Sequence, residues 1–143
     1  MNRQPELNRL IEFYQTLSID SVQQLPEIYA VHARFKDPFN DVVGIEPIRH
    51  IFVHMFAQVH DPRFVVKTRI LQGNDAFISW EFLFCMKRFS KEPQCIPGAT
   101  HLRFDAAGLV VEHRDYWDAA EELYEKLPLI GSLMRLLKRA ARS

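Results

Sequence analysis

A carboxylate and an imidazole stand two residues apart, at Asp115 and His113, in the segment Leu109 to Trp117. The segment reads as a strand, and side chains along a strand alternate between its faces. Val111, His113, Asp115 and Trp117 then share one face, with Glu112, Arg114 and Tyr116 opposite. On the preceding strand Thr100, Leu102 and Phe104 form the apolar face, and His101, Arg103 and Asp105 the polar one. Setting the two apolar faces side by side turns His113 and Asp115 inward. Desolvation penalises the charged forms of such groups, and enzymes tune proton-transfer residues in this setting. The competing reading is a buried Asp115 that accepts hydrogen bonds from Tyr14, His113 or a backbone amide, with His113 a satisfied core residue.

A second pattern lies on the long strand before these. Trp80, Phe82, Phe84 and Met86 alternate along one face, and with Phe104 and Trp117 they make an aromatic wall. Such a wall is packed core or the lining of a pocket for a small hydrophobic molecule, and both can hold at different depths. His50 and His54 have a spacing that could hold a metal, yet they fall opposite the stripe of Ile48, Phe52 and Met55. No nearby Asp, Glu or Cys completes a set, so they read as surface residues and no metal is expected. There is no nucleophile elbow, phosphate loop or zinc motif, and no cofactor is implied.

The elements that must position these residues follow from periodicity. Leu7, Leu10, Ile11, Tyr14 and Leu17 mark one face of a first helix, with Pro5 in its first turn. A short second helix runs through Val22, Leu25 and Ile28, and 33–38 is a short extended piece. Gly44 to Pro47 opens a third helix that buries Ile48, Phe52, Met55 and Val59, and Asp61-Pro62 ends it. Beyond Arg63 the period becomes two, predicting strands over 64–72, 76–88, 95–105 and 109–117. Helices, then meander strands, then a helix make an α+β domain: a cone-shaped, curved antiparallel sheet packed against N-terminal helices. Residues 1–143 form this one domain, with 119–143 a C-terminal helical extension.

Length and composition agree. The chain has 143 residues, 48% hydrophobic and 25% charged, which suits one soluble domain with a real core. Its 18 Lys and Arg balance 18 Asp and Glu, which argues against a nucleic-acid partner. Cys85 and Cys95 are too few for a disulfide framework. The opening MNRQPELNRL lacks a charged-then-apolar leader, and no apolar run nears the ~20 residues of a transmembrane helix, so the expected location is cytoplasmic.

The motifs in order carry a resemblance. Tyr14-Gln-Thr-Leu17, Phe35-Lys-Asp-Pro38, Gly44-Ile-Glu-Pro-Ile48, Thr100-His-Leu-Arg-Phe104, Asp105-Ala-Ala-Gly108 and Val110 to Trp117 resemble the nuclear transport factor 2-like superfamily. The branch is that of ketosteroid isomerases and SnoaL-like proteins, and the likeness covers roughly residues 5 to 120. Arg114-Asp-Tyr-Trp-Asp118 resembles limonene epoxide hydrolases of the same superfamily. The resemblance implies that Asp37 matches the isomerase's general base and Tyr14 its oxyanion donor. It also implies an assisting role for Asp115. Two positions depart from these patterns. Thr100 stands where the isomerase has a second, protonated acid. The strand that should supply an epoxide hydrolase's Arg and first Asp reads Ile78-Ser-Trp-Glu-Phe82, with Glu81 on the opposite face.

Three readings follow. The first is an enzyme moving a proton on a small apolar substrate. Asp37 and Asp115 would be acid and base, His113 would set the charge state of Asp115, and Tyr14 and Thr100 would donate to an oxyanion. Trp80, Phe82, Phe104 and Trp117 would bind the substrate. The second is a non-catalytic binder of a lipid-like ligand, and the third an interaction module with a solid core. Outward Leu83 and Cys85 suggest a homodimer through the sheet face. In the tail, 129–142, apolar residues oppose Arg135, Lys138, Arg139 and Arg142. That pattern suits a helix over the cone mouth or on a partner subunit, or peripheral contact with anionic lipid.

Overall fold

The computed structural model describes residues 2–87, 92–122 and 139–141. The tail expected over 129–142 therefore lies outside the described residues, except for helical residues 139–141. Among the described residues no helix is long and apolar enough to cross a membrane.

Helix α1 (Gln4–Gln15) carries Pro5 in its first turn, where a missing N–H breaks no helical bond. It buries Leu7, Leu10, Ile11, Phe13 and Tyr14. A 3-10 turn (Ser21–Gln24) leads into the single turn α2 (Leu25–Ile28) and strand β1 (Tyr29–Lys36). After β2 (Asp41–Val43) comes α3 (Ile45–Gln58), which buries Ile48 and Phe52. Strands β3 (Val59–Gln72), β4 (Asp75–Met86), β5 (Pro93–Phe104) and β6 (Val110–Tyr116) complete the sheet, and α4 (Ala119–Glu122) follows. The six strands lie in the order β2-β1-β6-β5-β4-β3 in one curved, unclosed sheet. Helix α1 packs on β3 and α3 on β1, so the helices cover the concave side.

Strands β3 to β6 pair antiparallel in sequence, as the meander pattern predicts. The sheet is nonetheless mixed, because β1 runs parallel to β6 and sets Phe35 opposite His113. This strand is longer than the extended piece expected over 33–38. A register shift between Tyr29 and Arg34 interrupts its alternation, and its long-range partner leaves no local mark. A bulge also alters the start of β6. Phe104 pairs with Val110 and Arg103 with Glu112, so Val110 is fully buried where alternation favoured Val111. The inward parity of His113 and Asp115 is unaffected.

Strand β3 begins at Val59, five residues before its predicted start, and runs through Asp61-Pro62. The register shifts between His60 and Arg63, and Asp61 takes a positive φ of 51°. Proline is admissible because β3 is an edge strand. Pro93 and Pro97 fit β5 similarly, since its ladder to β6 covers only Ala99 to Phe104. At the closed end of the cone Arg3 is buried. Its guanidinium donates to Asn74 Oδ1 (3.1 Å), to Ala106 O (2.9 Å) and to Glu6 Oε1 (3.1 Å). It thereby ties the start of α1 to the β3–β4 and β5–β6 turns.

Candidate active site

Between α3 and the concave face of the sheet lies a cavity of about 390 Å³. That is in the range of small-molecule sites. Its apolar wall comes from β3 and β4 (Phe64, Trp80, Phe82, Phe84) and from α3 (Phe52, Met55). Phe64 stacks on Phe82 at 4.6 Å, and Phe82 on Phe84 at 4.9 Å. Trp117 lines the cavity with its ring edge-on to Phe39, 5.6 Å away.

The polar end of the cavity is built on β5 and β6. Antiparallel register puts Thr100 directly opposite Asp115, and the Thr100 hydroxyl donates to Asp115 Oδ1 at 2.6 Å. The Trp80 indole N–H donates to Thr100 Oγ at 2.8 Å. His113 Nε2 meets the same Asp115 Oδ1 at 2.7 Å. On the other side of the ring, His113 Nδ1 meets the Tyr29 hydroxyl at 2.8 Å. Tyr29 and Tyr14 share a hydroxyl–hydroxyl hydrogen bond, and Tyr14 also lies 3.4 Å from Nδ1. Phe35 stacks on His113 at 4.3 Å and fixes the ring's plane. With the imidazole neutral, one consistent set of directions runs through the network. Tyr14 donates to Tyr29, Tyr29 to Nδ1, and Nε2–H to Asp115, which also receives the Thr100 proton. Asp115 Oδ2 has no hydrogen-bond partner among the described residues, and the side chain is 17% exposed where it lines the cavity.

The two phenols are electrostatically distinctive. Burial pushes the Tyr14 hydroxyl well above the ordinary tyrosine value, and the neighbouring Tyr29 and Asp115 push it further. Tyr29 is also raised, first by burial and also by Asp115, although its bond with Tyr14 acts in the opposite direction. Both therefore stay protonated through the physiological range and serve as neutral hydrogen-bonding groups.

The structure brings Tyr14, Thr100, His113, Asp115, Trp80, Phe82 and Trp117 to one cavity. Phe104 is not among the lining residues; it is buried in the core at the turn end of β5, so its expected contact with substrate is corrected. Asp37 lines the rim of the cavity, and its carboxylate is used locally. Oδ1 accepts from the Phe39 N–H (2.8 Å), the Asn40 N–H (2.7 Å) and Asn40 Nδ2 (3.0 Å), which shapes the loop after β1. The hydroxyls of Tyr14 and Thr100, expected to face a developing oxyanion, are already bonded to Tyr29 and Asp115. His54 is exposed and also borders the cavity mouth. Among the described residues no group of His, Cys, Asp and Glu could hold a metal. Cys85 and Cys95 are not joined in a disulfide, since the register pairs Cys85 with Pro93 and Cys95 with Leu83.

Sequence reasoning missed Tyr29 and Gly98. Tyr29 is legible in retrospect as sharing parity with inward Ala33 and Phe35, but the register shift hides it. Gly98 pairs with Trp80 across the β4–β5 ladder and lets the indole lie against its backbone. A Cβ there would stand 2.7 Å from the ring's Cζ2 and 2.8 Å from its Cζ3.

Comparison with known proteins agrees with this architecture. The SnoaL-like domain family matches residues 10–113. A protein from Catenulispora acidiphila with a ketosteroid isomerase-like fold, solved with trimethylamine, superposes with a TM-score of 0.73 at 16% identity, over 87% of this chain and 95% of that one. A protein provisionally assigned as a SnoaL-like polyketide cyclase from Shewanella putrefaciens gives 0.70 at 18% identity, over 86% and 97% of the two chains. One from Agrobacterium tumefaciens, provisionally assigned as an isomerase of the SnoaL-like family, gives 0.64 at 15% identity, over 82% and 99%. At these identities the likeness is one of fold. No curated protein matches the chain in sequence.

Proposed function

The chain belongs to the SnoaL-like domain family, and from that premise we propose that it is an enzyme that transfers a proton on a small, largely apolar substrate without a cofactor. Asp115 is the acid–base group. The observation that carries this reading is its divided carboxylate: Oδ1 is held by Thr100 and His113, while Oδ2 has no hydrogen-bond partner among the described residues and the side chain lines an aromatic cavity. A base so held is oriented before the substrate arrives, and water exclusion strengthens its interaction with the proton it takes. His113, backed by Tyr29 and stacked on Phe35, positions the carboxylate and compensates changes in its charge. Asp37 shapes the rim and is the second acid–base candidate.

The test is proton exchange in deuterated buffer, followed by NMR, across a panel of small apolar carbonyl, imine and epoxide compounds. Catalysed exchange or turnover should fall about 10²–10⁴-fold in Asp115→Asn, the range for loss of a general acid–base. A smaller loss in Asp115→Asn than in Asp37→Asn would move the base to the rim. The strongly apolar lining also favours a second reading, a non-catalytic binder of hydrophobic ligands. Under it, wild type binds such ligands with no exchange above buffer, and Asp115→Asn binds them as well or better.

A further inference from the structure

Among the described residues, those lining the cavity include the carboxylates of Asp37 and Asp115 and the imidazoles of His54 and His113, but no Lys or Arg. A site evolved to stabilise a developing oxyanion needs donors aimed at that oxygen. The donors at the polar end are engaged instead. The Trp80 N–H is given to Thr100, the Thr100 O–H to Asp115, and the Tyr14 hydroxyl is bonded to Tyr29. The side-chain amide of Asn40 is given to Asp37. At the polar end the group left without a hydrogen-bond partner among the described residues is an acceptor, Asp115 Oδ2, while the side chains of His54 and Gln58 lie at the exposed α3 border of the cavity. The same cavity is lined by the rings of Phe64, Trp80, Phe82, Phe84 and Trp117. Their faces carry partial negative charge, which attracts cations most strongly in a desolvated site.

We propose that the cavity selects a hydrophobic cation: a ligand whose positive charge sits on an alkylated ammonium or iminium nitrogen, between Asp115 Oδ2 and the aromatic wall. This rests on the proton-transfer reading above for its chemistry but not for its binding. For an iminium substrate the chemistry balances without an oxyanion donor. Asp115 takes a proton from the carbon next to the C=N⁺ group, and the C–H electron pair becomes a C=C bond. The former C=N π pair moves to nitrogen, leaving a neutral enamine and a protonated Asp115. Return of that proton to the far carbon of an extended system completes an isomerisation. Positive charge on the substrate is lost in the step, so no negative charge develops that the site would have to hold.

The experiment compares benzyltrimethylammonium with its uncharged isostere neopentylbenzene. Binding is followed by the fluorescence of Trp80 and Trp117, the chain's two tryptophans, both at the cavity. The cation should bind at least tenfold more tightly, and Asp115→Asn should bring the ratio to within about twofold. Equal or tighter binding of the isostere by wild type overturns the proposal, and that comparison needs no variant to fold. A cation preference that survives in Asp115→Asn overturns it too. Cation selectivity without Asp115-dependent exchange would sink the enzyme reading and keep this one. Exchange on neutral carbonyl compounds with no cation preference would do the reverse.

Discussion

The hydroxyl of Tyr29 joins Tyr14 to His113 at the buried end of the network. Tyr29→Phe removes one hydroxyl and leaves Nδ1 without its nearer partner, at a cost of about 1–3 kcal/mol. Chemical denaturation should show that loss, and turnover should fall with KM little changed, because the ring still packs. The raised phenols add a pH signature. Between the unfolded value near 10 and the higher folded values, the unfolded chain binds fewer protons than the native one. Stability from this source is thus complete below pH 10 and is lost as pH rises, by about 1.4 kcal/mol per pH unit for each phenol. Tyr14→Phe should remove one phenol's share of that alkaline slope in denaturation curves taken above pH 10. Asp115 and His113 were legible in the sequence because strand alternation is local. The engagement of Tyr14 and Thr100 was not, since it depends on partners up to 99 residues away.

Strands β4 and β5 aim the site through a contact that neither strand shows alone. The Trp80 indole lies over Gly98, and from there its N–H reaches Thr100. Gly98→Ala should displace the ring and cost about 1–3 kcal/mol from overpacking. The same variant should shift Trp80 fluorescence and weaken ligand binding, whereas Gly73→Ala, strained by its φ of 61° but with nothing within 4 Å of its Cβ, should leave the fluorescence of the folded protein unchanged. The pattern of four meander strands was readable because period two persists along each. Strand β2 and the first half of β1 were not, because β2 has only three residues and β1 is specified by its parallel partner β6. Proline misled at β3: Pro62 reads as a terminator, but an edge strand with a bulge accommodates it.

Across the whole molecule, the chemistry and the walls come from different regions. Asp115, His113 and Thr100 sit on β5 and β6 in the middle of the sheet, while Phe64 and Met55 come from the edge strand and from α3. Substitution of Met55 by Ala should therefore alter which ligands bind more than it alters Asp115-dependent exchange, a split visible in KM against kcat. The order of helices and strands was enough to place the fold, since it is a property of the entire chain. Which carboxylate keeps a free oxygen needed coordinates. The guanidinium of Arg3 adds a matter of timing. It cannot close on Asn74 and Ala106, 71 and 103 residues downstream, until both turns exist. The start of α1 is thus among the last parts of the fold to lock. Arg3→Ala should quicken unfolding by about tenfold while scarcely changing the refolding rate in a chevron plot, as for contacts made after the transition state.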